Sequence, residues 1–201
     1  MSSTAAKKQA SLLLTIGATL FFLGAVLFVL IYFPVAREEI RYAVSNPSKN
    51  TIQTIIPVDK QFSIVIPKIS ANSKVIANVD PYSEKQYQIA LTRGVAHARG
   101  SALPNQAGNI FIFAHSAGNF YEANRFNAVF YLLTKLERGD EIYLFYKDVR
   151  YKYTVTDKKL VAASAVSYLS GKGEAQTLTL MTCWPPGTTF QRLLILAKIS
   201  P

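Results

Sequence analysis

The chain has 201 residues, with 22 Lys+Arg against 12 Asp+Glu for a formal charge of +10, half of its residues hydrophobic and only 17% charged. That composition excludes a disordered chain and leaves room for one domain with its own core. One cysteine, Cys183, and two histidines exclude an intramolecular disulfide framework and a cysteine-rich zinc site, while the basic excess alone selects no partner among nucleic acid, an anionic membrane face and an acidic polymer.

In chain order, residues 1–10 carry Lys7 and Lys8 and no acid, and residues 11–33 (SLLLTIGATLFFLGAVLFVLIYF) are apolar almost throughout. As a helix rising 1.5 Å per residue, such a segment is about 35 Å long, enough to cross a hydrocarbon core of about 30 Å. It is longer than a signal-peptide core, and Phe33-Pro34-Val35-Ala36 makes a poor cleavage site, so the segment reads as a retained transmembrane helix. Lys7 and Lys8 on one flank against the mixed flank of Arg37, Glu38, Glu39 and Arg41 predict a cytoplasmic N-terminus with the rest of the chain outside. Residues 34–58, rich in Ser, Asn and Pro over their second half, read as a juxtamembrane linker, and 59–201 as the folded domain. No second apolar span follows, so the anchor is expected at the N-terminus only.

Within 59–201 the period becomes that of strands. Runs at 62–67, 109–113, 141–146, 150–156, 176–182 and 190–197 are rich in β-branched and aromatic residues, and Lys147-Asp148 reads as the turn of a hairpin whose second arm sets Tyr151, Tyr153 and Val155 on one face. Residues 82–91 read as a short helix, and 127–136 as helix or strand. Many short strands with few helices predict an all-β barrel or sandwich.

Cys183 ends the strand-like run Thr177 to Thr182 and precedes Trp184-Pro185-Pro186-Gly187, which breaks a strand and turns the chain. A thiol at a strand end beside a rigid loop suits a cleft, and Arg192 on the next strand returns a guanidinium toward it, where a cation favours a thiolate or an oxyanion. The proton carrier is one of the two histidines. His115 ends the 109–113 strand before Ser116-Ala117-Gly118-Asn119, and His97 in Gly94-Val95-Ala96-His97 is equally near a strand end, so spacing leaves both open. An isolated histidine is also a common structural residue.

Together these residues resemble the sortases, membrane-anchored cysteine transpeptidases of bacteria. Thr179-Leu180-Met181-Thr182-Cys183 with Arg192 nine residues on resembles the family's TLxTC signature and following arginine. Ile66-Pro67-Lys68-Ile69, Gly94-Val95-Ala96-His97 with Ser101-Ala102-Leu103-Pro104, Gly108-Asn109-Ile110 to His115, and Gly139-Asp140 resemble its other blocks in order, over about 60–199. Ala114 stands where the family usually has Gly, Ser101 where Thr is common and Asn105 where Gly is common. The resemblance implies a closed eight-stranded sortase-type β-barrel with short helices. It assigns catalysis to His115, Cys183 and Arg192, with Arg192 and Thr182 at the oxyanion, and leaves His97 as a cleft-lining residue.

By the same resemblance, the Cys183 thiolate attacks the threonine carbonyl of an LPxTG-like sorting signal on a secreted protein. The thioacyl intermediate passes to an amine of a peptidoglycan precursor or a pilin lysine. The resemblance implies no cofactor, no nucleic-acid partner and no metal, the acids being too scattered to predict a calcium site. Residues 158–175 leave room for little more than a turn of helix, and no lid motif precedes the barrel, so the expected subtype is a compact housekeeping-like or class D/E-like enzyme. An L,D-transpeptidase fits less well, because Trp184-Pro185 stand where that family places its arginine. The alternatives are a hydrolytic cysteine protease of the same fold, and a membrane-tethered non-enzymatic β-domain binding an anionic envelope polymer. The second draws on the 20 basic residues against 12 acids, a charge of +8, that remain once Lys7 and Lys8 are set aside.

Overall fold

The computed structural model describes residues 2–45, 56–116, 129–169, 173–186 and 188–200. The chain divides into two compact units, residues 1–45 and 46–201. The first is one helix, α1 (Ser2–Ser45). Its stretch Ser11–Val29 is long and apolar enough to cross a membrane, and every side chain there is exposed. The two threonines of that stretch hide their polarity within the helix: Thr15 Oγ1 donates to the Ser11 carbonyl and Thr19 Oγ1 to that of Thr15, each at 2.8 Å. The helix does not stop at residue 33. It runs past Pro34 to Ser45, so the opening part of the 34–58 stretch expected as linker is helical, and 46–55 lie outside the described residues.

The second unit is a closed eight-stranded barrel with the order β1-β2-β3-β4-β7-β8-β6-β5. Its strands are β1 (Phe62–Ile66), β2 (Ala71–Val79), β3 (Val95–Ala98), β4 (Gly108–Phe113), β5 (Glu141–Tyr146), β6 (Val149–Ala162), β7 (Gln176–Trp184) and β8 (Gln191–Ser200). A helix, α2 (Glu84–Leu91), lies between β2 and β3, and 3₁₀ turns occupy Pro67–Ile69, Tyr131–Lys135 and Val166–Leu169. Closure leaves no unpaired edge, which a small β-domain must otherwise protect. The ambiguous 127–136 segment resolves as the turn at 131–135, its first two residues lying outside the described ones.

Alternation along each strand decides what fills the barrel. Ile64 and Ile66, Ile110 and Ile112, Ile142 and Leu144, Tyr153 and Val155, Leu178 and Leu180, and Leu193, Ile195 and Ala197 are all essentially inaccessible and form the interior. At about 1.5 to 3 kcal/mol per buried large aliphatic side chain, this set supplies most of the drive to close the barrel. The 147–148 turn forms as expected, both residues taking positive φ (50° and 65°). Their amides bond the carbonyls of Gln61 and Lys60 at 3.1 and 3.0 Å, tying the hairpin tip to the entry of β1. At the opposite end of the barrel, where β1 ends and β5 begins, Lys68 Nζ bonds Asp140 at 2.8 Å and Glu137 at 3.2 Å. Partial burial disfavours its charge, but the two carboxylates outweigh that and hold its pKa above 10.5.

Two of the eight strands, β2 and β3, were absent from the six runs read in the sequence. β2 (ANSKVIANV) is poor in β-formers, yet Ala71, Ser73 and Val75 are buried and Asn72 and Lys74 exposed. It pairs with β1 and, in parallel, with β3, and a register shift between Ile76 and Val79 accompanies a positive φ of 60° at Asn78. Gly94 lets β3 start here, because a Cβ on it would lie 2.3 Å from the Lys74 carbonyl oxygen.

Candidate active site

The site is built by three neighbouring strands. β7 and β8 are antiparallel with Cys183 directly opposite Arg192, so both side chains emerge on the same face. β4 runs parallel to β7 in the register Ile112 to Leu180 and Phe113 to Met181. Two bonds carry that alignment further: Ala114 N donates to the Met181 carbonyl at 3.1 Å, and Thr182 Oγ1 donates to the Ala114 carbonyl at 3.0 Å. His115 follows at once, and the same register continued by one more residue brings it level with Cys183.

Alternation separates the two sides of this sheet. Leu178, Leu180 and Thr182 share the inner face, while Thr179, Met181 and Cys183 share the outer one. Cys183 is partly exposed and is a free thiol. Thr182 is 2% exposed, and its hydroxyl is committed to Ala114, so the side chain expected at the oxyanion is turned inward instead. A strand cannot present two successive side chains to one side, so with Cys183 on the outer face the Thr182 side chain faces in. Arg192 Nη1 donates to the carbonyls of Thr189 at 3.0 Å and Gln191 at 3.1 Å, which ties the guanidinium to the chain entering β8. At the β7 end Trp184-Pro185 is a cis peptide, and Thr188 N and Oγ1 both bond the Pro185 carbonyl, at 3.0 and 2.8 Å; Gly187, part of the expected turn, lies outside the described residues.

α2 closes one side of the site. Its positions 84, 87, 88 and 91 form one helical stripe. Leu91 on that stripe is buried, and the Tyr87 ring meets Phe113 edge-on at 6.3 Å. Burial raises the Tyr87 hydroxyl above its ordinary 10, Glu84 and Cys183 add to the rise, and Arg192 opposes it. The phenol therefore lies within electrostatic reach of both proposed catalytic groups on β7 and β8. Gln88 Oε1 is 3.2 Å from His115 Nε2. Sequence reading found this helix but neither residue.

His97 has a different place from the one expected. It is not cleft-lining: it is 3% exposed, and it pairs with Ile112, whose side chain points into the barrel. Nδ1 accepts from Asn78 N at 3.2 Å, so the proton sits on Nε2, which faces the Ala102 carbonyl at 3.0 Å and Ser101 Oγ at 2.9 Å. Phe62 packs on the ring at 5.7 Å. Burial pushes this imidazole below its usual 6.5, the Ala102 bond opposing the shift. Ser101, which replaces the common Thr, still provides the hydroxyl this corner needs, since its Oγ also accepts from Phe111 N at 3.2 Å.

Asn109, at the opposite end of β4 from His115, ties the β6–β7 connection to the sheet. Its Nδ2 donates to the Tyr168 carbonyl at 3.1 Å, and its Oδ1 accepts from Thr177 at 3.1 Å and Thr179 at 3.0 Å. The turn of 3₁₀ helix at Val166–Leu169 is all the helix in that connection among the described residues, as its length predicts. No group of three or more His, Cys, Asp or Glu that could hold a metal ion is assembled among the described residues.

Comparisons with known proteins agree with this architecture. Sortase D of Bacillus subtilis (strain 168) is 26% identical over 136 residues, covering 66% of this chain and 60% of that relative's length. The crystal structure of sortase C1 from Streptococcus suis is 26% identical with a TM-score of 0.59, over 71% of this chain and 74% of that one. A Clostridium perfringens sortase C, solved with the C-terminal cell wall sorting motif, shares the fold at 23% identity with a TM-score of 0.58, over 86% and 88% of the two chains. The sortase-domain family model matches residues 64–200, which begin inside β1 and end with β8 and so take in all of the barrel but the first two residues of β1. With its barrel order, its Cys183 and Arg192 pair and its His115 strand all inside that match, this chain belongs to the sortase family.

Proposed function

We propose that the chain is a cysteine transpeptidase that cleaves an LPxTG-like sorting signal and transfers the part of the protein N-terminal to the cut, through its threonine carbonyl, to an amine. The observation that carries this reading is the row of three side chains across adjacent strands: His115 after β4, Cys183 on β7 and Arg192 opposite it on β8. The Cys183 thiolate attacks the threonine carbonyl carbon, and the Arg192 guanidinium stabilises the developing oxyanion. His115, as imidazolium, protonates the departing amine, leaving a thioester on Cys183. The same imidazole then takes the proton of the incoming amine as it displaces the sulfur, which restores the thiolate. Because the Thr182 hydroxyl is bonded to Ala114, its part is to hold β7 against the residue before His115.

The donor is a secreted protein bearing a C-terminal sorting signal, the kind of segment seen with the Clostridium perfringens relative. The acceptor is an amine of a peptidoglycan precursor or a pilin lysine. α1 anchors the chain in the membrane, with Lys7 and Lys8 on the cytoplasmic side and the barrel outside. The short β6–β7 connection favours a compact housekeeping-like or class D/E-like member.

The test is to incubate the full chain in detergent micelles with a library of LPxTG-like peptides and an amine acceptor, and to identify products by mass spectrometry. The expected result is an amide between the truncated peptide and the acceptor, absent with Cys183→Ala. Cleavage without transfer under saturating amine points to the hydrolytic alternative. Full activity in Cys183→Ala overturns the assignment.

A further inference from the structure

Gln88 belongs to none of the motifs that mark this chain, yet its amide oxygen meets the imidazole proposed to move protons. The helix that carries it is held at both ends. Arg99 bonds Asp80 just before α2 and Gln86 within it, both at 3.2 Å, while Thr92 Oγ1 closes the last turn on the Ile89 carbonyl at 2.8 Å. Tyr87, one residue before Gln88, packs against Phe113, two residues before His115. The half-buried Gln88 amide therefore reaches His115 from a fixed helix and not from a loop.

We infer that Gln88 is a positioning residue for His115: its Oε1 accepts the Nε2 proton, fixes the ring plane and keeps the neutral imidazole in its Nε2–H form. Nδ1 is then the nitrogen that gives its proton to the leaving amine and takes one from the incoming amine. The inference rests on the proposed role of His115 as acid and base. A partner on one ring nitrogen decides which tautomer the other nitrogen presents. A carboxylate in the same place also biases the ring toward its cation, whereas a neutral amide orients it and leaves it able to gain and lose a proton.

The chain contains two histidines, and the second is an internal control. His97 is also held in the Nε2–H form, by hydrogen bonds to Asn78, Ala102 and Ser101 that do not involve Gln88. Nitrogen-15 NMR of the full chain in detergent micelles, labelled at histidine and titrated with pH, reads both rings at once. In the wild type the neutral limit shows the Nε2–H pattern for both. In Gln88→Ala the two nitrogens of His115 move toward each other as the tautomers mix, and those of His97 stay in place. In the transfer assay the same variant loses five- to tenfold in kcat with KM within twofold, the loss of one hydrogen bond that acts in the chemical step. Gln88→Glu, which keeps an acceptor, restores the tautomer.

His115 signals that do not move in Gln88→Ala, or an unchanged kcat, overturn the inference. If Gln88→Ala disturbs His97 as well, Gln88→Met, closer in volume, is judged by the same criteria. The spectra report the contact whether or not the chain turns over. Moved His115 signals in a wild type without transfer activity therefore support the positioning contact and count against the proposed function alone.

Discussion

His97 and His115 sit on adjacent strands, each close to a strand end, and the barrel wall separates their fates. His97 is opposite Ile112 and faces inward, where it is desolvated and has a partner on each ring nitrogen. His115 follows the outward-facing Phe113, is partly exposed, and meets Gln88 of α2. One step of strand parity thus converts the same side chain from a clamp between β2, β3 and the β3–β4 turn into a group beside the free thiol. A buried neutral imidazole stabilises the barrel only while it stays neutral, whereas an acid–base residue must change its protonation with ease.

The largest expected effects fall on opposite sides of that wall. Cys183→Ala and His115→Ala each lower the transfer rate by about a thousandfold or more and leave the unfolding midpoint within a few degrees, measured by peptide transfer and thermal melting. Gly94→Ala does the reverse. Its Cβ meets the Lys74 carbonyl oxygen at 2.3 Å, against backbone that cannot give way cheaply, and the expected loss is about 3 kcal/mol or more in a denaturant titration, with activity per folded molecule retained. His97→Ala belongs with Gly94: it leaves Asn78 N and the Ala102 carbonyl without their partner, costs about 2 to 3 kcal/mol, and changes kcat little below its melting temperature. A His97→Ala variant with normal stability and no turnover breaks the comparison.

Smaller effects sharpen it. Asn109→Asp keeps the acceptor for Thr177 and Thr179 but loses the donor to the Tyr168 carbonyl, for about 1 to 2 kcal/mol, and amide exchange at Val166–Leu169 quickens while that of β4 does not. The pH dependence of stability is the smallest term. Because burial holds the His97 pKa below 6.5, the unfolded chain binds a proton before the folded one does as pH falls. The contribution is thus fully present above pH 6.5 and is lost as pH drops toward the folded value. The difference in melting temperature between wild type and His97→Gln, compared from pH 8 to pH 5, should change only below about 6.5, with the wild type falling faster.

Most of the barrel was legible where strands carry β-branched or aromatic residues, as in β1, β5 and β8. β2 escaped because its outward positions are Asn and Lys and its inward ones include Ala and Ser, so its alternation lies in size and polarity and not in bulk hydrophobicity. The parity that distinguishes the two histidines was illegible for a different reason. Asn109 to Phe113 is nearly continuous in apolar residues because both faces of β4 are covered, and a strand buried on both sides hides which residues point inward. Cys183 and Arg192 were legible from their spacing, since the turn between β7 and β8 returns the chain directly opposite. Tyr87 and Gln88 reach the site from a helix distant in sequence, and no local pattern specifies that contact. The inward turn of the Thr182 side chain follows from alternation once Cys183 points out, and its bond to Ala114 was not legible in the local sequence.

The most direct test of the central claim, that the outer-face row of His115, Cys183 and Arg192 is the reaction centre, is to trap the thioacyl intermediate. Full-length protein in micelles is given an LPxTG-like peptide without acceptor, quenched in acid and mapped by mass spectrometry, beside His115→Ala and His97→Gln. The account predicts the truncated peptide as a thioester on Cys183 in the wild type and in His97→Gln, and its loss in His115→Ala. An acyl group on any other residue, or an adduct that survives in His115→Ala and vanishes in a folded His97→Gln, contradicts it.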